Sequence, residues 1–351
     1  MPSRIYQVIA RRLFLLIFVI IGATMITFVI SHVFRDPVYA YINPTVIERI
    51  SEEQIQAIRA EHGLDQPLPI QYIYYIRDLI LLDWGITAVE GRPVLEALAD
   101  KFPATLELTI LAMFFALAIG IPVGILSAIK KDRPVDHVSR FLALTGVSMP
   151  VFWLGLLLQL FLGYYLRLFP MNQRVDTLVA RDFPITHITG LNLVDSILNV
   201  LTLNLNGIPY FISSVRHIIM PAIALSWISM AIFARMMRTS MLETIQQDFI
   251  TMARAKGLSE RVVIYKHALR NAIIPTLTVA GLSFAGLLGG AVLTETVFTW
   301  PGIGSWAVAA INQSDANGIL GVVVFAALIY VLMNLLVDIL YTIVDPRISI
   351  D

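Results

Sequence analysis

The sequence predicts an all-α polytopic membrane protein with six transmembrane helices and both termini cytoplasmic. Three observations predict it. Of its 351 residues, 57% are hydrophobic and only 14% charged, against about 25% charged in a soluble domain. Mean hydropathy is +0.77, more apolar surface than a soluble core of this length absorbs, so lipid is the solvent that accepts the excess. Six windows hold the run of about 20 apolar residues that crosses a bilayer at about 1.5 Å rise per residue.

The first window, 13–33, follows Arg11 and Arg12. A cleavable signal segment has an apolar core of only about 7–15 residues and a small-residue cleavage site, so the reading is a permanent span anchored by the arginine pair. The others are 104–129, with one charge at Glu107, then 141–166, 218–234, 272–294, and 319–344 with one charge at Asp338. Acids in or near spans are costly and often functional. Glu107 and Glu295 fall near outer ends and Asp338 near an inner end, which favours interfacial or helix-pairing roles and leaves substrate-binding residues unassigned.

Orientation follows from charge. Of the 25 Lys and Arg, 15 lie in residues 1–12, 130–140, 235–271 and 345–351, although the alternate segments are together about twice as long. The positive-inside rule therefore puts those four segments in the cytoplasm. The chain divides into 1–103, a first span with an extracytoplasmic helical loop, and 104–351, a core of five spans with a cytoplasmic loop at 235–271. In the outer loop, Ser51 followed by Gln54 makes a capping box and Gly63 a stop, predicting a helix between them. The run IQYIYYIRDLILLDW is too short to span and suits either the membrane interface or packing on the spans. Residues 167–217 show no readable fold.

Prolines at 122, 150 and 221 interrupt spans and predict kinks, either around a pathway or as ordinary packing. Gly120 with Gly124, and Gly286 with Gly290, are small-xxx-small patterns that let helices approach closely, within the chain or against a second subunit.

Composition excludes several functions. Net charge is zero, so no global field attracts nucleic acid. Cysteine is absent and the six histidines at 32, 62, 137, 187, 217 and 267 are isolated, which gives no metal site. No catalytic constellation of Ser/His/Asp or paired carboxylates stands out, so a membrane enzyme has no support. An ion-coupled secondary transporter is the other rival, but its paired repeats are not evident.

The most informative segment is DFITMARAKGLSERVVIYKHALRNAIIP, residues 248–275. It is basic and amphiphilic. A helix through Ala255 is stopped by a left-handed turn at Gly257, and Ser259 caps a second helix from Glu260. Such a unit either docks a partner as a lever or lies on anionic head groups. It resembles the EAA loop of ABC importer permeases, in the variant of the oligopeptide, dipeptide, glutathione and nickel permeases. The matching residues are Ala253, Arg254, Ala255, Lys256, Gly257 and Leu258, then His267, Ala268, Leu269, Arg270, Asn271, Ala272 and Pro275. Thr251 and Met252 depart from the Glu-Ala that opens the general motif. GLDQPLPIQY, GRPVLEAL, FPATLEL, GIPVGILSA, SMPVFWLGLLL, ETVFTWPGIG and NLLVDILYTIVDPRI also look like the first permease subunit of that family, in order along the chain.

The resemblance implies a heterodimer with a second, homologous permease, two cytoplasmic ATPase subunits and an extracytoplasmic substrate-binding protein, in a cell membrane. It implies peptide cargo, with oligosaccharide, glutathione or a nickel chelate as alternatives. It assigns ATPase coupling to Asp248, Ala253, Arg254, Ala255, Lys256, Gly257, Leu258, His267, Leu269, Arg270 and Asn271. No G-x-x-x-x-G-K-[ST] loop occurs, so ATP and magnesium are expected on the partners, with no cofactor in this chain.

Overall fold

Where lipid is the solvent, every backbone polar group is satisfied internally, and helices do this segment by segment. The computed structural model describes residues 14, 17, 18, 20–29, 38, 42 and 50–344, with side chains through 335 apart from position 290. The described residues form helices and turns without a strand. They gather into two compact units, Met1–Ala104 with Pro301–Asp351, and Thr105–Trp300.

In the first unit, α1 (Ile20–Val29) is the continuous described part of the first window; of the rest, only residues 14, 17 and 18 are described. The expected capping box closes the start of α2 (Glu52–Glu61): the Ser51 hydroxyl accepts from Gln54 N–H and the Gln54 side chain accepts from Ser51 N–H. Gly63, at φ +63°, follows its end. The aromatic run becomes α3 (Leu68–Ile80). It packs on α1: the Tyr72 hydroxyl lies 2.9 Å from that of Thr24, and the Tyr72 ring meets Phe28 edge-on at 5.3 Å. Sequence gave no helix for residues 303–312, yet α13 (Ile303–Asn312) forms there and buries Ile303 and Trp306 against Val94, Ala97 and Leu98. The last helix, α14 (Ala316–Val344), follows at once. Its Gly321 leaves room for Val94, whose methyl carbon would stand 2.3 Å from an added Cβ. The side chain of Asp338 falls outside the described residues.

In the second unit, α4 (Val94–Ile129, entering from the first unit), α9 (Gly207–Ile245) and α12 (Leu269–Val297) are the long helices. Stretches within α4, α9 and α14, together with Glu260–Gly289, are each long and apolar enough to cross a bilayer. The window 141–166 is not one rod. It is α5 (Pro134–Ser148) and α6 (Val151–Leu158) with a π-helical turn Gln159–Tyr165, bent by 108°. The cause is Pro150, which has no N–H to continue the ladder and forces Met149 into extended backbone at ψ 125°. Beyond the bend, Gly155 admits Phe298 and Val297, and the Gln159 amide donates to the Val297 and Met171 carbonyls at 3.0 and 2.8 Å.

Residues 167–217, unreadable in sequence, fold as α7 (Thr177–Asp182), α8 (Asn192–Leu201) and the start of α9. Side chains hold them rather than periodicity. Asp195, fully buried, accepts from Thr189 N–H and hydroxyl and from Gly190 N–H. Glu107 accepts from Arg174 at 2.6 Å and from Leu193 N–H at 2.7 Å. Glu295, also buried, accepts from Thr105 at 2.6 Å. Both acids near spans therefore pair within the chain.

Two outcomes follow. Burial opposes the Asp195 charge, but the Thr189 and Gly190 donors outweigh it and hold the carboxyl below its ordinary 3.8. The folded value is the lower one, so the tether is intact above the unfolded value and lost only as pH falls through the folded one. Proteinase K should therefore cut residues 176–206 equally slowly at about pH 7 and about pH 5, and faster in Asp195→Asn. The second concerns glycines: a Cβ on Gly124 would stand 2.5 Å from Ala234 O and 2.6 Å from Met237 Cβ, whereas one on Gly286 meets nothing within 4 Å. Gly124→Val should cost about 1–3 kcal/mol or more in a thermal melt of the detergent-solubilised subunit, and Gly286→Val should leave that melt unchanged.

Candidate coupling loop

At the end of α9, Thr244 bonds back to the Ser240 carbonyl and the chain leaves the helix through Gln246. Gln247, in extended backbone, begins α10 (Asp248–Ala255), its carbonyl accepting from Ile250 and Thr251 N–H. Asp248 stands in the first turn and Arg254 in the last, each at the end its charge favours. The helix stops at Ala255, and Gly257 takes φ +74°. Ser259 occupies the cap position of α11 (Glu260–Val262), but its hydroxyl makes no cap bond; its backbone carbonyl accepts from Val262 and Val263 N–H instead. The chain passes through a π-helical turn, Val263–Ala268, and runs into α12 without a break.

The amphiphilic pattern sorts this unit into two faces. Ile250 and Val263 are fully buried, with Ala253, Ile264, Ala268 and Ala272, against Ile125 and Ala128 of α4 and Met237 and Met241 of α9. Leu269 packs on the same cluster, half-buried, while His267 is half-buried in the π turn. The opposite face is open. Asp248, Arg254, Ala255, Lys256, Gly257, Leu258, Arg270 and Asn271 are exposed, beside Met252 at 58% exposure and Tyr265 at 50%. Across the Gly257 turn the Arg254 guanidinium spans both carboxylate oxygens of Glu260, at 3.2 and 2.6 Å. This closes the two arms, although an exposed pair of this kind adds at most about 1 kcal/mol.

The seat depends on helix proximity. Gly120 and Gly124 bring α4 against the backbone of α9 at Met230 and Ala234. Gly286 faces open space, and the surroundings of Gly290 lie outside the described residues. Sequence reasoning passed over the polar anchor beside this seam. Asp136, fully buried, is held by both Nε and an Nη of Arg238 at 2.7 and 2.9 Å, by the Ser127 hydroxyl at 2.6 Å and by Asp132 N–H at 3.0 Å. The available signal was an acid in the first turn of a helix opened by Pro134, with Arg238 the second of two arginines just past the fourth window. Among the described residues no group of His, Asp and Glu is arranged to hold a metal ion.

Residues 120–350 match the model of the binding-protein-dependent transport system inner membrane component, and residues 5–109 match its N-terminal counterpart. The chain belongs to this family. It is therefore a multi-pass membrane component of a binding-protein-dependent transporter. This permease is 43% identical to the probable D,D-dipeptide transport system permease protein DdpB of Escherichia coli (strain K12) over 346 residues, 98% of each chain. It is 44% identical to the dipeptide transport system permease protein DppB of the same organism over 97% of this chain and 98% of that one. The oligopeptide transport system permease protein AppB of Bacillus subtilis (strain 168) is 35% identical over the same shares.

Burial ranks the contributions in the permease's loop. Ile250→Ala empties a filled seat and should cost about 2–5 kcal/mol, read as faster protease cleavage within 248–271. Arg254→Ala should change that cleavage by no more than about 1 kcal/mol equivalent.

Proposed function

We propose that this permease is one of two similar membrane subunits of an ATP-driven importer of di- and oligopeptides, and that residues 248–271 are its contact with a cytoplasmic ATPase. The observation that carries the reading is the two-faced loop: one face locked into the helix ends, the other exposing Met252, Leu258 and Tyr265 among Lys256, Arg261, Lys266 and Arg270, with Arg254 paired to Glu260. Apolar anchors ringed by cations suit a protein groove with an acidic rim. A loop resting on lipid head groups would need no buried seat at Ile250 and Val263.

Force applied to the exposed face passes two ways. It enters α12 directly, since α11, the π turn and α12 are continuous, and it enters α4 and α9 through the shared core. With six spans and both termini in the cytoplasm, as the charge distribution favours, such force opens and closes a cavity between the two permeases. ATP and magnesium act on the ATPase subunits. An extracytoplasmic binding protein supplies cargo, a reading supported by the binding-protein dependence in the family's description. Peptide cargo is supported by relatives named for dipeptide and oligopeptide transport, which favours it over sugar, glutathione or nickel chelate.

Gly257 tests the docking reading. Its side is open, with nothing within 4 Å of an added Cβ, so Gly257→Val adds no clash. It does impose φ +74° on a β-branched residue, a strain of about 1–2 kcal/mol. The variant should insert normally but retain less ATPase on copurification and lose cargo-stimulated ATP hydrolysis. Unchanged stimulation in a correctly inserted variant would contradict the assignment.

A further inference from the structure

The buried carboxylate of Asp136 does more than close a turn. It sits in the first turn of α5, yet its partners lie on three other segments: Ser127 near the end of α4, Asp132 in the connecting turn, and Arg238 on α9. Arg140, one turn along α5, adds a second cation at 3.7 Å. Both carboxylate oxygens are used, and the guanidinium grips them as a two-pronged fork, which fixes angle as well as distance.

Arg238 is adjacent to Met237 and one turn from Met241, the two α9 residues that pack on Ile250 and Ala253 of the coupling loop. Gly124, where an added Cβ would stand 3.1 Å from Arg238 N, draws α4 into the same block. The inner end of α5 is thereby joined to the seat of the loop by charge-assisted hydrogen bonds to a fully buried carboxylate. Its other end is a joint: the helix stops at Ser148 and turns 108° into α6. The bend opens on a cleft lined by Thr145, Ser148, Met149, Pro150, Phe152 and Trp153. α6 in turn is anchored elsewhere, on Val297 and Phe298 at the far end of α12. The broken span is thus two arms with separate anchors, and the bend angle is set by where those anchors stand.

We propose that Asp136 is a positioning residue that makes α5 move as one body with the coupling loop, so that displacement of the loop changes the bend at Met149–Pro150. This rests on the reading of the loop as the ATPase contact. Without the carboxylate charge, Arg238 would be left largely buried without its partner, and α5 would be held to α9 by apolar contacts that permit sliding.

The chain contains no cysteine, so paired spin labels report without background. Labels on Val138→Cys of α5 and Gln246→Cys at the start of the loop, in the complete transporter with its ATPases and binding protein in lipid vesicles, give their separation with and without ATP. The expected result is a separation independent of nucleotide in the parent, and nucleotide-dependent in Asp136→Asn, with several-fold less cargo moved per ATP hydrolysed while ATPase retention is unchanged. A parent separation that shifts with ATP overturns the proposal, and this measurement decides even where Asp136→Asn fails to accumulate. An Asp136→Asn transporter matching the parent in separation and in cargo per ATP overturns it equally. Failure of the parent to retain any ATPase overturns the docking reading, and this inference with it.

Discussion

The close approach of α4 and α9 at Gly120 and Gly124 is the constraint on which the loop end of the molecule depends. An added Cβ at Gly124 would overlap the Ala234 carbonyl oxygen at 2.5 Å, so only glycine lets these backbones touch. Their contact creates the apolar floor of Ile125, Ala128, Met237 and Met241 that receives Ile250 and Ala253. Had the helices stood a side chain apart, α10 would have no seat and the Gly257 turn would swing freely. In lipid, where apolar burial between helices gives little drive, such packing is the available source of rigidity.

Polar groups complete what packing begins, and they do so at the ends of the helices. Asp136 with Arg238 secures the loop end, while Glu107 with Arg174, Asp195 with its three donors, and Glu295 with Thr105 secure segments at the other end. Each buried acid found in sequence and described in the structure has a partner within its own unit. Their roles are those of joints.

Most of the architecture was legible because it rests on local rules. Hydropathy located the long helices, the Ser51–Gln54 box and Gly63 bounded α2, and Gly257 marked the loop turn. What was not legible depends on individual side-chain contacts rather than on a repeating pattern. Residues 167–217 have no period to read because they are held by Asn199, Asp195 and Arg174, whose partners are scattered. The window 141–166 read as one span because a hydropathy count ignores that Pro150 turns the helix rather than kinking it. Within the loop, the glycine, the exposed residues and the buried Ala253, Ala268 and Ala272 carried the family pattern, whereas the roles of Ile250 and Val263 in the seat and the Asp136 clamp became evident only once the helices were assembled.

The account stands on one claim: the exposed face of residues 248–271 meets the cytoplasm and is covered there by an ATPase. A single cysteine at Tyr265, half-exposed on that face, treated with a membrane-impermeant maleimide in sealed vesicles of known orientation, tests it most directly. The account predicts labelling only where the cytoplasmic side faces out, and protection when the ATPase subunits are present. Labelling from the extracytoplasmic side, or equal labelling with and without the ATPase, would contradict it.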